Sequence, residues 1–368
     1  MPELFGRSYS RSELLRRVGR LEQVAGVRLV TLGDGLGRGV RVIEFHTGSG
    51  FSFEVVVDRC FDIGQCEIGG RPLNWQSNAG IVGPWFYEND EWGWFRAWGG
   101  GMVVTCGLDH TLLAGEDDAS DFHQMHNFQT VRFGLHGRVG GLPARLIGYG
   151  ERWEGDACVL WAEGEVLQSA IFGEHMLLHR RIEARVGESH FTIHDEVENV
   201  GHSRVSHMLL YHCNVGFPVV DRGSELLVAS LKTTTDYGVP IEGYATLSAP
   251  IKDFTEACFE HELVAEPDGK VPVAVVNRDL GLGVYQVFRV GQLPHHTVWR
   301  MMGEDTYALA MEPSTNRDAG RRDAKERGEL LHLEPGDVRP YDLEIGALVG
   351  GEAIDAFAAR VGKLIPVT

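Results

Sequence analysis

From about residue 27 onward the apolar side chains recur at every second position in short runs cut by glycine-rich turns, the signature of β-strands with one buried face. Phe51, Phe53, Val55 and Val57 alternate with Ser52, Glu54 and Val56 behind Gly48-Ser49-Gly50, which predicts a hairpin. The runs Cys158 to Leu167, Phe191 to Val197 and Tyr307 to Met311 carry the same texture. The 47 glycines are scattered through the turns, with pairs at Gly69-Gly70, Gly140-Gly141 and Gly350-Gly351, so they form no linker and mark no domain boundary. The chain is therefore all-β in class, and residues 27–368 are expected to make one domain.

Helical spacing is confined to the two ends. Ser10 and Glu13 form a capping box ahead of Leu14, Val18, Leu21 and Val24, which predicts a helical segment over residues 1–26. Behind Gly350-Gly351, the residues Ile354, Phe357, Ala358 and Val361 predict a terminal helix packed on the sheets. The acidic stretch Leu113 to Phe128 reads as a long surface loop.

A formal net charge of −18 repels nucleic acid and anionic membrane surfaces at long range, so neither is expected as a partner. No apolar run reaches the roughly 20 residues of a membrane span, and the first 20 residues lack the apolar stretch of a secretory signal. A cytoplasmic location is the expectation. Six cysteines without a CxxC pair predict free thiols rather than disulfides or a thiolate metal site. A dinucleotide fingerprint, a P-loop and a Gly-x-Ser-x-Gly elbow are all missing, so no cofactor and no covalent nucleophile are expected.

Four places offer chemistry. His212 interrupts the apolar run Met208 to Gly216 together with Asn214, and burying both requires hydrogen-bond partners or a polar groove. His136 stands between glycines in Gly134 to Gly140, where the backbone can approach a ligand or a neighbouring strand. Glu312 closes an apolar strand just before Pro313, which presents its carboxylate at a strand end. Asp58-Arg59 reads as an ion pair after a strand, and a buried Arg59 offers a rigid fork of donors to a ligand's oxygens. Each has a structural alternative: a satisfied core histidine, a turn histidine, a solvated strand end. His190 and His194 share the polar face of their strand and read as solvated. Trp85, Phe86, Trp92, Trp94, Phe95 and Trp98 crowd one region, either walling a groove or packing a crossing loop.

Taken in chain order, Asp58 to Ile63, Gly107-Leu108-Asp109-His110, Gly134 to Arg138, Tyr211 to Gly216 and Glu312-Pro313 resemble the galactose mutarotase-like superfamily of aldose 1-epimerases, and more closely its DUF4432 branch. Asp195 to Gly201, Leu333 to Asp337 and Tyr341 extend the likeness, which spans roughly residues 27–348. The resemblance implies a β-supersandwich, a large antiparallel β-sandwich with an open sugar groove. It also implies His212 as general acid, Glu312 as general base, and Arg59, Asp58, His110, His136 and Asn214 as substrate-binding groups. The better-known mutarotases carry their acid in His-x-Tyr-Phe-Asn, whereas here Tyr211 precedes His212 and Cys213 separates it from Asn214.

The implied partner is a small-molecule sugar, opened and reclosed at its anomeric carbon by one acid and one base. Two alternatives are a different sugar isomerisation on the same scaffold and a carbohydrate-binding protein without turnover. The first would gain from a divalent metal on His110, His123, His126 and His136 with Asp121 or Glu116, but their irregular spacing fits no metal signature, and none is expected.

Overall fold

The computed structural model describes residues 1–119 and 129–365. Two large antiparallel sheets dominate. One has eight strands in the order Arg145–Glu154, Ala157–Ser169, His175–Arg185, His190–Asn199, Val338–Val349, Leu282–Arg289, Lys270–Asn277 and Glu225–Val228. The other runs Ser230–Thr234, Ala257–Leu263, His295–Met301, Ala308–Ser314, Val205–Gly216 and Leu331–Leu333, with Val104–Leu108 paired to Val205–Gly216 as its seventh strand. A five-stranded sheet from Gly26–Thr31 to Arg71–Pro72 completes the β architecture expected from the alternation.

The alternation explains where the core lies. Phe191, Ile193 and Val197 point inward from one large sheet, and Leu209, Tyr211, Cys213 and Val215 from the other. Phe45 and Phe53 of the N-terminal sheet stack at 4.5 Å, and Phe53 reaches Phe191 at 4.6 Å, so this sheet closes the same core. Each such fully buried phenylalanine contributes about 1.5–3 kcal/mol through its removal from water. The hairpin predicted around Gly48-Ser49-Gly50 is present, and a Cβ on Gly48 (φ 81°) would lie 2.6 Å from Leu4 and 2.8 Å from the Val24 carbonyl.

The ends differ in part from expectation. Ser10 and Glu13 form their reciprocal capping box, but the helix covers only Arg11–Leu15. The helix is capped at Arg16, and Leu21 reaches the core from a separate turn at Leu21–Gln23. The terminal helix Gly351–Gly362 buries Ile354, Phe357 and Val361 against Ala274, Val276 and Leu348, as its spacing predicts. Within the stretch read as a loop, Gly115–Asp118 pairs with Thr130–Phe133 as a ribbon; His123, His126 and Asp121 lie outside the described residues. Two further helices, Trp94–Ala97 and Gly320–Arg327, carry no amphipathic pattern that would announce them. All six cysteines are free and buried. Among the described residues no helix is long and apolar enough to cross a membrane.

Candidate active site

Strand register brings the two expected catalytic residues together. Leu210 pairs with Ser314 and Cys213 with Met311, so the same register sets His212 directly opposite Glu312. No ladder pair forms at these two positions, and the gap coincides with Pro313, which has no N–H to donate. Glu312 is therefore not at a strand end as its proline suggested: the strand runs on to Ser314, and Pro313 pairs with His296 on the other side. His212 Nε2 lies 3.2 Å from Glu312 Oε1, the two side chains being only 4% and 3% exposed.

The alternate face of the same sheet builds the pocket floor. Cys258, Trp299, Glu312 and His212 come from four consecutive strands, and the small Ala308 and Ala310 leave room for the indoles above them. Trp92, Trp94, Phe95 and Trp98 lie over this floor from the segment around the short helix. The rings of Trp98 and Trp299 approach His212 at 5.0 and 5.6 Å, and Trp94 stacks on Trp98 at 4.5 Å. Four of the six clustered aromatics thus wall a pocket, whereas Trp85 and Phe86 stand outside it, half exposed.

Hydrogen bonds fix the proton positions. Asn214 donates through Nδ2 to the carbonyls of Gly101 and His212, which turns its Oδ1 toward the His212 ring. His212 Nδ1 donates to that oxygen at 2.6 Å, so a neutral ring keeps its proton on Nδ1 and offers the Nε2 lone pair to Glu312. Burial lowers the His212 pKa to about 4, with the Asn214 hydrogen bond working against it, and pushes Glu312 well above the usual carboxylate range, with Asp318 and Glu256 adding to the rise. Both directions favour an uncharged pair, with the imidazole neutral and the carboxyl protonated.

His136 also lines the pocket, at 5.6 Å from His212 between ring centres. Its Nδ1 accepts the Leu112 N–H, so the neutral ring carries its proton on Nε2; burial, then the neighbouring His212, holds its pKa well below the ordinary value. The flanking glycines are needed here as expected. A Cβ at Gly137 would fall 2.4 Å from the His110 carbonyl and one at Gly134 2.1 Å from that of Asn89, while His136 itself is held at a φ of 59°.

The remaining expected binding residues lie elsewhere. Arg59 donates to the carbonyls of Gly140, Val82 and Ala97, clasping the aromatic segment to the N-terminal sheet, and it lines a separate groove. Asp58 does not pair with Arg59; it accepts from the Arg41 backbone and guanidinium. His110 stacks on Phe133 and bonds the Leu113 carbonyl through Nε2, facing another concavity. Asn214 is buried behind His212 as its positioning partner and does not line the pocket. Among the described residues no group of three or more histidine, cysteine or acidic side chains gathers as a metal site.

Sequence reasoning missed Trp299, Tyr237, Glu256 and Asp318. Trp299 donates to Glu256 at 2.7 Å, and burial, followed by Glu260, lifts Asp318 to about 6. The alternation Thr297, Trp299 beside Glu312 was the available signal for Trp299; the other three come from loops and strand ends.

A domain of unknown function, DUF4432, matches residues 37–347. Among curated proteins, none matches the chain. A solved structure from Klebsiella pneumoniae, provisionally named an aldose 1-epimerase, is 20% identical with a TM-score of 0.83 and covers 94% of this chain and 91% of its own. A galactose mutarotase-like protein from Clostridium acetobutylicum is 10% identical, with a TM-score of 0.59 over 88% and 98% of the two chains. Galactose 1-epimerase from Lactobacillus acidophilus is 11% identical, with a TM-score of 0.55 over 88% and 99%. With the family matched over most of its length and the architecture shared with these structures, the chain belongs to the DUF4432 family and has the galactose mutarotase-like fold.

Proposed function

We propose that the protein is an isomerase of the aldose 1-epimerase kind, opening and reclosing a sugar at its anomeric carbon. The observation that carries this reading is the His212–Glu312 pair, 3.2 Å apart and buried among tryptophans. Anomer exchange moves one proton off the C1 hydroxyl and one onto the ring oxygen, both atoms being bonded to the same carbon. A close pair holding one mobile proton meets both demands at once. After ring opening, rotation about C1–C2 and the reverse transfers close the other anomer.

The lowered His212 pKa alters the simplest version of this chemistry. An imidazolium at its unperturbed pKa of about 6.5 would be the resting acid, but burial leaves His212 neutral at pH 7. The family roles, His212 as acid and Glu312 as base, then require the pair's proton to pass from Glu312 to Nε2 once sugar hydroxyls solvate the site. Asn214 supports this step by holding the ring with Nε2 toward Glu312. His136, with its proton on Nε2, is placed to donate to a sugar oxygen, and the tryptophans offer apolar faces to the ring.

The test is anomer exchange on a panel of aldoses, followed by polarimetry or by saturation-transfer NMR. Acceleration above buffer that Glu312→Gln abolishes is the expected result. Appearance of a new sugar would point to a different isomerisation, and binding without exchange would leave a carbohydrate-binding protein.

A further inference from the structure

The charge of the pocket narrows the substrate class, an inference that rests on the sugar reading above. Three carboxyl groups line it, Glu256, Glu312 and Asp318, and no lysine or arginine does among the described residues. Arg317, next to Asp318 in the chain, is bound to Glu260 and Glu329. Glu312 is all but sealed from water with His212 as its sole polar contact among the described residues, so it has acceptor capacity to spare. The Trp98 indole N–H is likewise buried without a partner among them. Around these acids stand Trp94, Trp98, Trp299 and Tyr237, whose ring faces attract cations.

We infer that this pocket is built for a sugar bearing an ammonium group, an amino sugar, with Glu256 and Asp318 as its counter-charges, and that it rejects sugar phosphates and uronic acids. A phosphate or carboxylate entering here would lose its water beside Glu256 and Asp318 and find no lysine or arginine among the described residues, and like charges juxtaposed in a desolvated site repel. An ammonium group instead relieves the mutual repulsion that Glu256 and Asp318 impose on Glu312. Trp299 holds the Glu256 carboxylate in place through its N–H, so the counter-charge at the mouth is fixed rather than swinging free.

The test compares 2-amino and 6-amino hexoses with glucose, galactose, glucuronate and glucose 6-phosphate on the intact protein. Binding is read by quenching of tryptophan fluorescence and turnover separately by NMR anomer exchange. The amino sugars should bind at least about 10-fold more tightly than their neutral parents and about 100-fold more tightly than the anions, and Glu256→Gln with Asp318→Asn should bring the amino and neutral sugars to within about 2-fold. Equal binding of amino and neutral sugars, preference for an anion, or no binding of any of them would overturn the inference. Binding in the expected order without anomer exchange would instead remove the proposed reaction and leave the charge preference standing.

Discussion

Tyr211 and His212 are neighbours on one strand, yet they face two different kinds of buried polar cluster. Tyr211 points between the sheets and donates to Asp195, which with Asp62 flanks Arg180. All five N–H groups of Arg180 are used, on Asp195 twice and once each on Asp62, Thr105 and the Cys60 carbonyl. Thr105 then donates to Asp62 through both its backbone and its hydroxyl. One residue further on, His212 meets a carboxyl that has no second polar partner among the described residues. Saturation locks the first cluster as a permanent part of the core. The sparse second cluster leaves the Glu312 carboxyl with bonding capacity unused, which the proposed proton transfer requires and a core does not.

The largest effect should come from breaking the saturated cluster. Arg180→Met strands two buried carboxylates and is expected to cost about 3–5 kcal/mol in urea unfolding. A loss under about 1 kcal/mol would show that the cluster carries little of the fold.

Glu312→Gln should do the reverse, lowering anomer exchange by at least about 10²-fold while the urea midpoint stays put or rises, because a poorly hydrogen-bonded buried carboxyl is no asset to stability. Asn214→Ala should lower kcat by about 10-fold with little change in KM, since only the hold on the His212 ring is lost. Its acid limb in the pH profile should also move further down, because the Asn214 hydrogen bond works to raise the His212 pKa. An unmoved limb would mean that Asn214 serves packing alone.

The smallest effects concern pH. With His212 at about 4, exchange should persist on acidification well below the 6.5 of a free imidazole. Stability should follow the histidines. Burial lowers His207, His212 and His261 each to about 4, so the unfolded chain takes up protons below about 6.5 that the folded chain refuses. Their contribution is therefore complete above about pH 6.5 and is lost as pH falls toward 4, with the raised Glu312 and Asp318 pulling in the opposite direction. Urea midpoints at pH 7.5 and 5 should differ accordingly; equal midpoints would contradict neutral buried histidines.

The two clusters also differ in how far they could be read from sequence. Alternation located the strands, and the order of motifs singled out His212, His136 and Glu312, all of which meet in one pocket. The same ordered motifs also pointed to Arg59, Asp58, His110 and Asn214, none of which lines this pocket, because a side chain's partners are set by tertiary folding: Asp58 finds Arg41 across a hairpin, and Arg59 finds carbonyls on three separate segments. Nothing local marked Arg180 as the hub of the core, since its partners lie at positions 60, 62, 105 and 195. Glu256 and Asp318 escaped for the same reason, being ordinary acids until the fold aims them at one pocket.

Under the proposed function the sparse pair, not the saturated cluster, performs the chemistry. Saturation-transfer NMR on wild type and Glu312→Gln, with an aldose that both bind, tests it most directly. Anomer exchange should run well above the buffer rate in the wild type and return to that rate in the variant, which should unfold at the same or a higher urea concentration. Undiminished exchange in Glu312→Gln would contradict it.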